Sequence, residues 1–245
     1  MSEVVLIGTS DAFGAGGRRQ SAVLLRGSGG TLLMDCGATT GSGLNALGID
    51  RSEIDAIVVS HFHADHFGGI PLLMLAALYE DARRRPLRIA GPPGVEARVR
   101  GLAAAMGYDM RDRDWTFPFE FVELPAGREL EVGPARVQAF ATRHQPDSKP
   151  HGLVVRSGSE RIAYSGDTGW FDALPREVGA ADLFICECTF HDRDYPFHLN
   201  WRELAARRPA LEARRLVVTH LGTEMSELRG KLDVETADDG LKLRL

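Results

Sequence analysis

The run Ile54–Ser60 (IDAIVVS) passes without a turn signal into His61-Phe62-His63-Ala64-Asp65-His66-Phe67-Gly68-Gly69. A short apolar, β-branched run is the pattern of a strand buried on both faces. Three of the eight histidines and one aspartate then fall within six positions. Neutral imidazole is the commonest protein metal ligand, and imidazole with carboxylate suits zinc and related divalent ions. A tight loop at a strand end can aim alternate side chains at one point. His61 and His63 would serve one ion; Asp65 and His66, turned the other way, would serve a second.

The rest of the chain reads as strands and helices mixed in both halves. Strands are expected at Glu3–Ile7, Ala22–Arg26, Thr31–Asp35, Leu87–Ala90, Glu120–Leu124, Arg136–Ala141, Gly152–Ser157, Arg161–Ser165, Asp182–Cys188, Arg215–Thr219 and Leu241–Leu245. Helices are expected near Leu44–Leu47, from Ile70 to about Arg84 with Pro71 in the first turn, from Gly91-Pro92-Pro93-Gly94 to about Met106 with Gly107 closing it, and at Phe171–Val178, Trp201–Arg207 and Glu224–Arg229. Arg83, Arg84 and Arg85 read as a solvated helix end. With no repeat and no compositional break, residues 1–245 are read as one domain.

Composition narrows the function classes. The net charge is −5 over 245 residues, which argues against a general electrostatic grip on nucleic acid. No stretch approaches the roughly 18 apolar residues of a membrane span, and the N-terminus carries no secretory pattern. Three cysteines, Cys36, Cys186 and Cys188, are an odd number suited to a reducing compartment. A cytoplasmic protein with buried thiols is the expectation. Cys186 and Cys188 would share one strand face. Gly14–Gly17 lacks the Lys-Ser/Thr of a phosphate-binding loop and reads as a flexible loop at the site's edge.

One loop cannot fill two metal sites, so further ligands must come from elsewhere. His144, Asp167 (in Ser165-Gly166-Asp167-Thr168-Gly169) and His220 each follow an expected strand, where a rigid scaffold can hold a side chain.

The ordered set His61-x-His63-x-Asp65-His66, His144, Asp167, His220 resembles the metallo-β-lactamase superfamily. Its ribonuclease Z-like branch is the most similar, through GTSDAF with Arg18 or Arg19, MDCG around Asp35, SHFHADHFGGIPLLM, YSGDT and VVTH. The resemblance implies a four-layer αβ/βα sandwich of the α/β class. It implies that His61, His63 and His144 hold one ion, that Asp65, His66 and His220 hold the other, and that Asp167 bridges them. Zinc is the first choice and manganese the second. Two divalent ions about 3.5–4 Å apart can share a water and lower its pKa toward neutrality.

The same resemblance covers Glu187-Cys188-Thr189-Phe190 followed by His198, the position of a Glu/His dyad that protonates the leaving oxygen. Glu187 would hold the imidazole protonated. Asp65, Glu187 and His198 are thus the expected catalytic residues. The following Leu199-Asn200-Trp201 departs from the Ser-Thr of ribonuclease Z itself. So does Gly158-Ser159-Glu160, which leaves no room for that enzyme's extended tRNA-binding arm. A small phosphodiester, such as a cyclic nucleotide or cyclic sugar phosphate, is therefore preferred to tRNA, with Arg18, Arg19 or His151 as candidate phosphate contacts. The competing readings are hydrolysis of an ester, lactone, thioester or β-lactam at the same metals, and a non-catalytic metal-binding module. The branch often dimerises, and the apolar helix Pro71–Leu78 is either buried core or a homodimer interface.

Overall fold

The computed structural model describes residues 2–245. Fourteen strands and seven α-helices are formed among them. The first half holds β1 (Glu3–Gly8), β2 (Ala22–Gly27), β3 (Gly30–Met34), α1 (Thr40–Ala46), β4 (Ile54–Val58), α2 (Ala64–Phe67), α3 (Ile70–Tyr79), β5 (Leu87–Gly91), α4 (Val95–Ala105) and β6 (Phe119–Glu123). The second holds β7 (Glu129–Val132), β8 (Ala135–Ala141), β9 (His151–Ser157), β10 (Glu160–Tyr164), α5 (Leu174–Val178), β11 (Leu183–Glu187), α6 (Trp201–Arg207), β12 (Leu216–Thr219), α7 (Thr223–Glu227), β13 (Glu235–Thr236) and β14 (Lys242–Arg244).

Two seven-stranded sheets result, ordered β14-β1-β2-β3-β4-β5-β6 and β13-β12-β11-β10-β9-β8-β7. Each is antiparallel through its first three pairings counted from β14 or from β7, and parallel through the next three. Strand alternation builds the layers. Val4 and Leu6 of β1 join Ile162, Leu183 and Val217 in the core between the sheets. Val5 and Ile7 point the other way, to the core shared with Leu44, Met74 and Val99 of α1, α3 and α4. On the far side Phe184, Cys186 and Val218 pack with Leu174, Leu204 and Met225 of α5, α6 and α7. A period of two gives each strand two buried faces, and the outcome is helices, sheet, sheet, helices: the expected αβ/βα sandwich.

Several boundaries differ from expectation. The helix begun at Ile70 stops at Tyr79, not Arg84. Ala82 takes a left-handed φ of 45°, and Arg83 turns inward to donate to the carbonyl oxygens of Ile54 and Pro86 at 2.8 and 2.7 Å. Arg83 is therefore buried, unlike the solvated end expected of it. Its guanidinium satisfies backbone acceptors that burial would otherwise leave unpaired. Edge strands β7 and β13 escaped the sequence reading, since ELEV is charged and β13 is two residues long. The three cysteines are free and buried, with Cys186 and Cys188 on one face as expected. No helix among the described residues is long and apolar enough to cross a membrane.

Candidate active site

The site lies where the parallel strands of both sheets end, the place at which α/β folds gather functional groups. Three strand ends turn sharply there. Asp35 after β3, Gly166 after β10 and His220 after β12 have φ of 58°, 54° and 55°. Asp35 and His220 take the left-handed region without being glycine, a strain that persists only where surroundings enforce it. At Gly166 a Cβ would come within 2.6 Å of the His151 carbonyl oxygen, so glycine is required to aim Asp167.

His61 and His63 precede α2, and Asp65 and His66 lie in its single turn. His144 follows β8, Asp167 follows β10 and His220 follows β12. These seven side chains form two quartets sharing Asp167, namely His61, His63, His144, Asp167 and Asp65, His66, Asp167, His220. In the first, His63 Nδ1 lies 3.1 Å from both His61 Nε2 and His144 Nε2. Asp167 Oδ2 is 3.6 and 3.7 Å from His61 and His144 Nε2. In the second, Asp167 Oδ1 is 3.2 Å from His66 Nε2 and 3.4 Å from His220 Nε2. Asp65 Oδ2 is 3.4 and 3.3 Å from the same nitrogens.

These spacings fit metal. A tetrahedron with metal–ligand bonds of about 2.0–2.1 Å has edges of about 3.4 Å. His66 Nε2 and Asp167 Oδ1 are buried and have no hydrogen-bond partner, an arrangement that is costly unless something else occupies them.

The outward nitrogens enforce the same orientation. Ser60 Oγ gives its hydrogen to Asp35 at 2.8 Å and so accepts from His61 Nδ1 at 3.0 Å. His66 Nδ1 donates to Asp35 at 2.7 Å, and His144 Nδ1 to the Phe197 carbonyl at 2.8 Å. Thr189 Oγ1 donates to Glu187 at 3.0 Å and accepts from His220 Nδ1 at 2.9 Å. Each bond leaves an Nε2 lone pair facing the centre, the usual support for metal-ligating histidine. Asp35 also receives Tyr164 Oη at 2.8 Å, which ties the first sheet's support to the second sheet.

Burial holds the His61 imidazole well below its ordinary pKa, and it lowers His144 too; both stay neutral, the ligating form. For His66 burial also pulls down, but Asp167, Asp65 and Asp35 outweigh it and hold the ring well above its usual value. Three carboxylates thus mark a point where positive charge is favoured.

Beside the quartets stands the expected dyad. His198 Nδ1 donates to Glu187 Oε1 at 2.8 Å. Burial opposes the charged imidazole, yet the Glu187 carboxylate prevails and raises His198 to about 9. Glu187 is itself held by backbone N–H groups of Thr168, Thr189 and Leu199 at 2.8, 3.2 and 3.2 Å. The departure at Leu199-Asn200-Trp201 therefore leaves the Glu187–His198 contact intact.

Members of both quartets and His198 line one cavity, and Arg18, Arg19 and His151 do not line it. Arg18 is buried against the Ser226 hydroxyl. Arg19 donates to the Ile7 carbonyl at 2.9 Å and faces Asp239. His151 is buried, and burial pushes it down to about 4. The sequence reading missed Phe13, Arg193 and Tyr195, which do line the cavity. They sit in loops whose composition carries no signal. It also gave Asp35 no role, although the rule that found Asp167, a polar residue just past a strand, applies to Asp35 as well.

The family described as Anti-Pycsar protein Apyc1 matches residues 2–236. Ribonuclease Z of Mycobacterium sp. (strain KMS) is 30% identical over 191 residues, spanning 74% of this chain and 67% of that protein. Ribonuclease Z of Mycobacterium bovis (strain BCG / Pasteur 1173P2) is 26% identical over 240 residues, spanning 90% and 86%. The metallo-β-lactamase fold protein YhfI from Bacillus subtilis superposes with a TM-score of 0.76 at 25% identity, covering 100% of both chains. The short form of human tRNase Z shares the fold, with a TM-score of 0.79 at 24% identity over 99% of this chain and 98% of that one. The chain belongs to the Anti-Pycsar protein Apyc1 family, metal-dependent hydrolases in the ribonuclease Z-like branch of the metallo-β-lactamase superfamily.

Proposed function

We propose that this chain, acting as one domain, hydrolyses a small phosphodiester such as a cyclic nucleotide or cyclic sugar phosphate. The observation that carries the reading is the pair of ligand quartets sharing Asp167, set directly against the Glu187–His198 dyad. His61, His63 and His144 would hold one divalent ion and Asp65, His66 and His220 the other, with zinc first and manganese second. Bound ions would supply an activated water and neutralise charge building on phosphoryl oxygens. Asp167 would offer one carboxylate oxygen to each position, since its Oδ2 faces the first quartet and its Oδ1 the second. His198, oriented by Glu187 and protonated at neutral pH, donates its proton to the departing oxygen.

The second sheet supports a small substrate. β9 passes to β10 through Gly158 and Ser159 alone, so no arm extends from this hairpin to grip a folded RNA. The names of the ribonuclease Z relatives support phosphodiester chemistry, and the short hairpin supports a small member of that class. The charge balance and free thiols support action in the cytoplasm. A homodimer is also part of this reading: α3 buries Leu73, Met74 and Ala77 but leaves Leu72 and Tyr79 exposed. Light scattering checks that point.

The test of the activity is turnover of bis-p-nitrophenyl phosphate and of a panel of cyclic nucleoside monophosphates, before and after chelation and again after zinc or manganese is restored. Metal-dependent release of product is expected. Absence of turnover on every phosphodiester, with two ions bound per chain, would overturn the reading.

A further inference from the structure

The cavity above the ligand quartets has a volume of about 760 Å³, more than the phosphoryl group itself requires. Its floor is imidazole and carboxylate, whereas Phe13, Phe190 and Tyr195 contribute rings to its wall. Phe13 is 94% exposed, an unusual state for so large an apolar side chain. The exposure is built into the loop. Asp11 Oδ1 accepts from the Phe13 and Ala15 backbone N–H groups at 3.1 and 3.2 Å, and Gly14 and Gly16 turn the chain with φ of 74° and 66°. Elsewhere on the wall, the Arg193 guanidinium sits 5.0 Å from the Phe190 ring centre and 5.9 Å from that of Tyr195. Tyr195 lies nearly parallel to His198, at 17° and 5.7 Å between centres. His198 lies at 13° and 5.4 Å to His220. A column of flat faces thus runs from a metal-ligating position out to the mouth.

We propose that Phe13, together with Tyr195 and its neighbour Arg193, forms a subsite that stacks a flat aromatic substituent of the substrate. In a cyclic nucleotide that substituent is the base. The inference rests on the phosphodiester reading and adds to it which part of the substrate is recognised away from the reacting phosphorus. Aromatic faces and guanidinium planes attract heteroaromatic rings by stacking and cation–π contact. Phe13 is thereby a specificity-determining residue: it selects phosphodiesters that carry a ring over those that do not.

Two measurements decide this. The first compares kcat/KM for a cyclic nucleoside monophosphate with that for the base-free methyl riboside 3′,5′-cyclic phosphate. In the native chain the nucleotide is preferred, and Phe13→Ala narrows the preference about tenfold through KM, the scale of one lost base-stacking contact. Arg193→Ala narrows it less. An unchanged preference overturns the subsite while leaving the phosphodiester reading in place. The second measurement places an indole at the mouth with Phe13→Trp and follows its fluorescence as a nucleoside 5′-monophosphate is added. Quenching by the nucleotide but not by ribose 5-phosphate is expected. This readout needs no turnover, so it judges the subsite even if the phosphodiester reading fails; equal quenching by both ligands, or by neither, overturns it.

Discussion

The two sheets share one ladder pattern, three antiparallel pairings followed by three parallel ones, yet they contribute to the site in different ways. The first sheet delivers four candidate ligand atoms from one stretch, residues 61–66, at the end of β4. The second delivers His144, Asp167, Glu187 and His220 one at a time, at or just after β8, β10, β11 and β12. A contiguous motif concentrates chemistry in sequence; dispersed single residues concentrate it only in space. The first half can therefore build only two of the four members of either quartet; the other two, the shared carboxylate among them, and the dyad belong to the second.

That contrast can be broken most severely at Asp167. Asp167→Ala removes an oxygen from both quartets, so activity is expected to fall about 10³-fold or more, the scale of losing a main electrostatic support of the transition state. Metal analysis should show loss at both positions. His63→Ala, which touches only the first quartet, should spare metal at the second. Equal depletion by the two variants would show that the quartets do not form separately.

His198→Ala is expected to cost about 10²–10³-fold on an alkyl phosphodiester, within the usual range for a lost general acid. The loss should be much smaller on a p-nitrophenyl ester, whose leaving group departs without a proton. The pH dependence has a definite sign. Because Glu187 raises His198 to about 9, the proton proposed for the departing oxygen is present at neutral pH and lost as pH rises through about 9. The stabilisation from this pairing follows the same course, complete below the ordinary histidine value and lost through about 9. Glu187→Gln should move the alkaline limb of the rate profile down by removing the carboxylate that raises it. A limb that stays in place would assign it to another group.

Smaller effects test the supports. Thr189→Val leaves His220 Nδ1 without its acceptor, and Asp35→Asn weakens the hold on His66. Each is expected to reduce metal affinity about 10–100-fold, the range found for such outer partners. Competition with a chromogenic chelator measures this directly. The comparison between halves is sharpened if Asp35→Asn, with its bond to Tyr164 of the second sheet, also lowers thermal stability. Gly166→Ala introduces strain and a contact with the His151 carbonyl, and should destabilise by about 1–3 kcal/mol; a melting curve reads it.

By itself the sequence determined the order of the strands and helices other than β7, β13 and α2, and the first cluster of candidate ligands. Alternation of apolar residues and a dense His/Asp motif are short-range properties, written within a few positions of one another. His144, Asp167 and His220 were also legible, because each follows a strand, although their partnership was supplied by family resemblance. Tertiary structure alone decided that Arg18, Arg19 and His151 turn away from the cavity and that Arg83 is buried. It alone brought Phe13 to the same cavity as Tyr195, and made Thr189 join Glu187 to His220. The physical reason is that a long or exposed side chain finds its partner through the surfaces packed around it, and those surfaces come from strands far apart in the chain.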